Sequence, residues 1–200
     1  NFSGGIKKHL VFDSKIKFLL PLARGITFIP IPIIVYYVLK TIDLRVFTTI
    51  LMMTPFFVFI FSSILQKEKI RFINWIILSA GFLGTIMVIQ PSFKNFTLGV
   101  LLTFIVPAYN ALTNVVVSKY SNNASAYGFT FYHLLPLALL SSIMFIIDPI
   151  NLDLREVILI SFGGIFIFLA ILFWTAAFHI AGKFSAYVIP FIFSQIIWAS

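Results

Sequence analysis

The residues able to do chemistry in this chain are few, and most carry no charge. Cysteine is absent, so there are no thiolate ligands, thiol nucleophiles or disulfides. His9, His133 and His179 lie far apart, with no carboxylate at metal-ligand spacing, and the serines have no general-base partner. Nucleophilic, acid–base and metal-assisted catalysis each need such groups side by side. The sequence therefore reads as a non-enzyme with no catalytic residues, no metal site and no cofactor. What remains is hydrogen-bonding chemistry. Asn110 and Asn114 stand four apart, on one helix face, flanked by Tyr109 and Thr113. Thr54 and Gln195 lie beside expected bends in their spans, and Trp174 adds an aromatic face. These seven are the candidate contacts for a bound small molecule. Histidine titrates near neutral pH, so His133 is a candidate proton-linked group.

The elements that must position these residues are apolar runs. The chain is 60% hydrophobic and 10% charged, with a mean hydropathy of +1.07. A soluble domain carries about a quarter charged residues. About twenty apolar residues at ~1.5 Å each cross the ~30 Å hydrocarbon core. Six such runs are predicted: Phe18–Leu39, Val46–Leu65, Phe72–Gln90, Leu98–Ser118, Tyr127–Ile147 and Val157–Ala181, with a seventh opening at Phe184. They lack the alternation of barrel strands. The expected fold class is all-α, a polytopic membrane helical bundle. Its partner is the lipid bilayer.

The net charge of +8 does not call for nucleic acid, because the basic residues are divided between alternate turns. Lys7, Lys8, Lys15, Lys17, Arg24, Lys67, Lys69, Arg71, Lys119 and Lys183 fall on one side, against Lys40, Arg45, Lys94 and Arg155 on the other. The richer side is expected to be cytoplasmic, which puts the N-terminal segment inside. On this count His133 and His179 are the only ionisable groups within the spans. The wealth of Ile, Phe, Lys and Asn matches an AT-rich bacterial genome and hence a bacterial inner membrane.

Prolines recur inside the spans at Pro30, Pro32, Pro55, Pro107, Pro136 and Pro190. Each removes an amide donor and can bend its helix around a cavity. Gly25–Ser62 can also be laid on Ile165 onward with a shift of about 140 residues, Thr54-Pro55 falling opposite Ser194-Gln195. That shift is a displacement of five spans, an odd number, which would make the two units inverted relative to each other.

Thr54-Pro55-Phe56-Phe57-Val58 leads through an apolar run to Glu68-Lys69-Ile70, then Trp75, Gly81-Phe82-Leu83-Gly84-Thr85 and Gln90-Pro91. Ala80 with Gly84, and Gly81 with Thr85, are paired on helix faces that admit close packing. This string resembles the EamA domain of the drug/metabolite transporter superfamily, which has a Ser-Pro-type bend, a Gly-Glu-Arg-like turn and a Gly-rich helix. Lys67 and Lys69 replace the Gly and Arg, and Glu68 keeps the acidic position. Asn110-Ala111-Leu112-Thr113 and Ser118-Lys119 resemble the start of the family's second half, with Asn110 where Trp is usual. Gly81–Phe93 and the stretch around Tyr187–Ser200 look most like S-adenosylmethionine-type uptake carriers, which place an acidic residue at the position of Gln195.

The resemblance implies an inverted-repeat transporter fold of ten helices, truncated here at both ends. Residues 1–17 would be a cytoplasmic segment, 18–90 the rest of the first repeat, and 98–200 a truncated second repeat of three spans and part of a fourth. The implied function is secondary-active transport of a small polar or amphipathic metabolite by alternating access. A neutral or zwitterionic solute suits the uncharged contacts, and a homodimer is compatible with this reading. A non-transporting subunit or receptor, or an intramembrane lipid-modifying enzyme, are the alternatives.

Overall fold

The computed structural model describes residues 15–92, 97–122 and 125–194. Among the described residues the chain is helical and contains no strand. Nine α-helices follow one another among the described residues: α1 (Lys15–Phe28), α2 (Pro30–Thr41), α3 (Leu44–Leu51), α4 (Thr54–Phe61), α5 (Phe72–Ile89), α6 (Leu98–Thr103), α7 (Ile105–Lys119), α8 (Ala126–Ile147) and α9 (Leu154–Ala181). A π-helical turn, Ser62–Gln66, extends α4, and two 3-10 runs, Gly182–Tyr187 and Ile189–Ser194, follow α9.

Among the described residues six stretches are long and apolar enough to cross a membrane: Leu19–Thr41, Leu44–Gln66, Phe72–Ile89, Leu98–Lys119, Ala126–Ile147 and Leu154–Phe184. They coincide with the expected spans to within about three residues, apart from the start of the seventh. There Gly182, with φ of 52°, ends the helix, and the chain continues as 3-10 turns.

Prolines and caps explain the interruptions. The helix stops at Ile29 before Pro30, at Met52 and Met53 before Pro55, and at Phe104 before Pro107. Proline cannot donate to the preceding turn and suits the first turn of a new helix. Helix α8 runs through Pro136 unbroken, and Pro190 lies in the second 3-10 run. Asp43 caps α3, its side chain accepting from the Arg45 amide at 2.7 Å. Ser125 caps α8 through the Gly128 amide at 3.1 Å. At the start of α9, Asp153 Oδ1 accepts from the Glu156 amide at 2.7 Å and Glu156 Oε2 from the Asp153 amide at 3.0 Å. This reciprocal pair is a capping box.

The chain forms two compact units. One holds α1 with residues 120–180, and the other holds residues 30–119 with the segment from Ala181. In the first unit α1 packs along α8. Gly25 permits the approach: a Cβ there would stand 2.6 Å from the His133 carbonyl oxygen, 2.7 Å from that of Tyr132 and 2.9 Å from Pro136 Cδ.

In the second unit α3 packs on α6 and α4 on α7, so these paired helices run in the same direction. Val46, Ile50 and Val100 form a core there, with Ile42 and Phe104 against it. Helix α5 docks through rings. Trp75 meets Phe59 edge-on at 5.2 Å, and Phe82 meets Phe56 at 5.5 Å. A Cβ at Gly81 would strike the Phe193 ring at 2.8 Å, whereas one at Gly84 would meet nothing within 4 Å. Of the two glycines in the Gly-rich run, only Gly81 serves close packing inside this unit.

Candidate functional site

Thr54, Tyr109, Asn110, Thr113 and Asn114 all fall in the second unit, on the packed pair α4 and α7. Thr54 opens α4, is buried, and donates its hydroxyl to the Leu51 carbonyl at 2.6 Å. That bond satisfies a carbonyl left bare where the helix breaks. Thr113 is likewise buried and donates to the Asn110 carbonyl at 3.1 Å. With both protons engaged, the two hydroxyls face a neighbour as acceptors. Asn114 is 3% exposed, while Asn110 and Tyr109 are half-buried. The asparagine amides therefore supply the donors of this face.

The depth of each group follows from the helix register. Gln66 Nε2 donates to the Val115 carbonyl at 3.3 Å. Counting back along two helices that run the same way, Thr54 stands level with about Thr103. Asn110 is then about seven residues away, or ~10 Å at 1.5 Å per residue. The cluster is a stripe along α7 with Thr54 at its far end.

A polar knot closes the Gln66 end of that stripe. Lys67 has φ of 56° and turns the chain back, with the Glu68 amide bonding to the Ser62 carbonyl at 3.3 Å. The Ser118 hydroxyl donates to the Gly182 carbonyl. The Glu68 side chain accepts from the Ala186 amide, yet its burial outweighs that bond and raises its pKa above the usual carboxylate value. Sequence reasoning noted Glu68 as the acid of the Gly-Glu-Arg-like turn, with no partner assigned. Its tie to Ala186 needed a contact between residues more than a hundred positions apart.

Trp174 belongs to the first unit. It is half-buried, its ring tilted against Phe178 at 5.4 Å. Gln195 lies outside the described residues. Tyr36 and Tyr37 are exposed, and Lys40 Nζ sits 4.3 Å over the Tyr36 ring.

His133 is also in the first unit, 4% exposed, with the Phe28 ring 4.6 Å away. It bonds to the backbone carbonyl of Arg24 and lies within electrostatic reach of the Arg24 guanidinium. Arg24 itself is 9% exposed. This corrects the count of ionisable groups inside the spans, because Arg24 is not one of the turn charges. It stands five residues into the first apolar stretch, and α8 covers it. Its position inside Phe18–Leu39 was the available signal.

Among the described residues no group of three or more His, Cys, Asp or Glu converges as a metal site would require. Residues 4–90 match the model of the EamA-like transporter family. This EamA-like segment covers the first three apolar stretches together with Thr54, Pro55 and Glu68. No curated protein and no solved structure gives a match. An EamA-like segment within a row of six apolar helices makes this a multi-pass membrane protein embedded in a lipid bilayer.

Proposed function

We propose that the chain is part of a secondary-active transporter that moves a small polar or amphipathic metabolite by alternating access. The observation that carries this reading is the EamA-like segment at residues 4–90. The helix breaks before Pro30, Pro55 and Pro107 support it, since interrupted helices line the mid-depth sites of many carriers. The solute would lie against Asn110, Asn114, Thr54 and Thr113, with Tyr109 as a further contact. The basic loops would face the cytoplasm of a bacterial cell, and residues 98–200 would form a second, inverted repeat. His133 would couple transport to protons.

Vesicles containing the purified full-length protein as their sole protein test the proposal. Radiolabelled solutes from a neutral and zwitterionic panel should enter, saturate and compete with one another. Absence of flux for every solute, with the protein folded and correctly inserted, refutes it in favour of a non-transporting subunit.

A further inference from the structure

The polar knot at the end of α4 and α7 also fixes a set of cations. Exposure alternates along the loop that leads to α5. Lys67, Lys69 and Arg71 are exposed, while Glu68 and Ile70 between them are half-buried. The three cations therefore share the outer face of the loop. Two ties bring a fourth beside them: Ser118 holds the Gly182 carbonyl, and Glu68 accepts from the Ala186 amide. Lys183 lies between these ties and is exposed. Lys119 follows Ser118 at the same end. All of these residues belong to the second unit.

The acids of this unit do not offset the cluster. Asp43 caps α3, at the opposite end of the helices. Glu68 turns inward, with Oε2 buried and without a hydrogen-bond partner. Helix α5 starts directly after Arg71 and leaves Phe72, Ile73 and Ile76 exposed. A cationic face thus adjoins an apolar one within a single helical turn. Topology needs only a count of loop charges. It does not require them to share one face, with the acid turned away and apolar side chains alongside.

The matching ligand is amphiphilic, with net negative charge at its head. A choline or ethanolamine headgroup would set its ammonium against this cluster, with no exposed carboxylate to receive it. A headgroup whose only charge is phosphate meets attraction alone, and lysine and arginine both bind phosphate. Its acyl chains would follow α5, which is long and apolar enough to cross the bilayer. We propose that this end of the second unit binds an anionic phospholipid, the phosphate on Lys67, Lys69, Arg71 and Lys183 and the acyl chains along Phe72, Ile73 and Ile76. Such a surface requires the bilayer but not transport.

Native mass spectrometry of the full-length protein in neutral detergent, titrated with one lipid at a time, gives the dissociation constants. Phosphatidylglycerol should bind about tenfold or more tightly than phosphatidylcholine of the same chains, and rising ammonium acetate should narrow the gap. Each cation beside an anionic headgroup is worth about fivefold in affinity. Lys67→Gln with Lys69→Gln should then weaken phosphatidylglycerol binding about thirtyfold and leave phosphatidylcholine binding unchanged. Lys40→Gln with Arg45→Gln removes two exposed cations at the other end of the unit, and should change the affinity by about twofold at most. If the first double variant does not fold, the contrast between lipids on the unaltered protein and its salt dependence decide. Equal affinity for the two lipids overturns the proposal. So does an undiminished affinity in the Lys67/Lys69 variant, or a loss matched by the Lys40/Arg45 variant. Displacement of phosphatidylglycerol by an equal concentration of inorganic phosphate also overturns it, and would make the surface a site for soluble anions.

Discussion

Replacing Gly25 with alanine should destabilise the protein, although alanine is the better helix former. A Cβ at this position would lie 2.6 Å from the His133 carbonyl oxygen and 2.7 Å from that of Tyr132. Ordinary contact begins at 3.4 Å, so α1 and α8 must separate by about 0.8 Å. Both obstructing atoms are backbone, and no rotamer change relieves them. A gap of 0.5–1 Å forfeits about a quarter to a half of each dispersion contact along an interface. Overpacking of this kind costs about 1–3 kcal/mol, against the roughly 1 kcal/mol that alanine gains over glycine in a helix interior. The net expectation is a loss of up to about 2 kcal/mol. Gly84→Ala is the control, because nothing lies within 4 Å of its added methyl, and only the propensity gain should remain. Reversible unfolding of the full-length protein in mixed micelles, titrated with dodecyl sulfate, measures both. Equal or greater stability for Gly25→Ala than for Gly84→Ala would refute the close helix approach.

Other expectations concern the knot, the cap and the polar stripe. The Glu68 pKa is raised in the folded protein, so the folded state binds the extra proton. Stability should be greatest below the ordinary carboxylate pKa and fall as pH rises through the raised one. Unfolding titrations across that window should show the slope, Glu68→Gln should flatten it, and an unchanged slope in that variant would assign it to another group. Asp153→Ala should remove half of the capping box, cost about 1 kcal/mol, and speed amide exchange in the first turn of α9; unchanged exchange there would contradict the cap. Ser118→Ala should leave the Gly182 carbonyl without its bond and increase protease cleavage near Lys183, whereas equal cleavage would leave the bond without structural weight. Asn114→Leu should raise the KM for a transported solute at least tenfold while protein levels hold, and an unaltered KM would remove Asn114 from the contact face.

The spans were legible because apolar runs end at charges. Lys40, Lys67 and Lys119 each fall within one residue of a helical stretch's end, and no tertiary contact is needed to see that. The proline breaks were equally local. The start of α9 was less so: the apolar run opens at Val157, but the mutual bonds of Asp153 and Glu156 draw the helix back to Leu154. Arg24 shows where sequence reasoning stops. Counting it with the loop lysines was reasonable for topology, yet its burial depends on α8, over a hundred residues away. The register of α4 on α7, which spreads the candidate contacts over about two turns of helix, had no local signal at all.

Helix α9 has 28 residues, and between Val157 and Gly182 it carries no Asp, Glu, Lys or Arg. At 1.5 Å per residue that uncharged stretch is ~38 Å long, against ~30 Å of hydrocarbon. Such a mismatch is relieved by tilting or by local thickening of the lipid, at a fraction of a kcal/mol per ångström. Helix α9 should therefore stand more upright in long-chain lipid than in short-chain lipid.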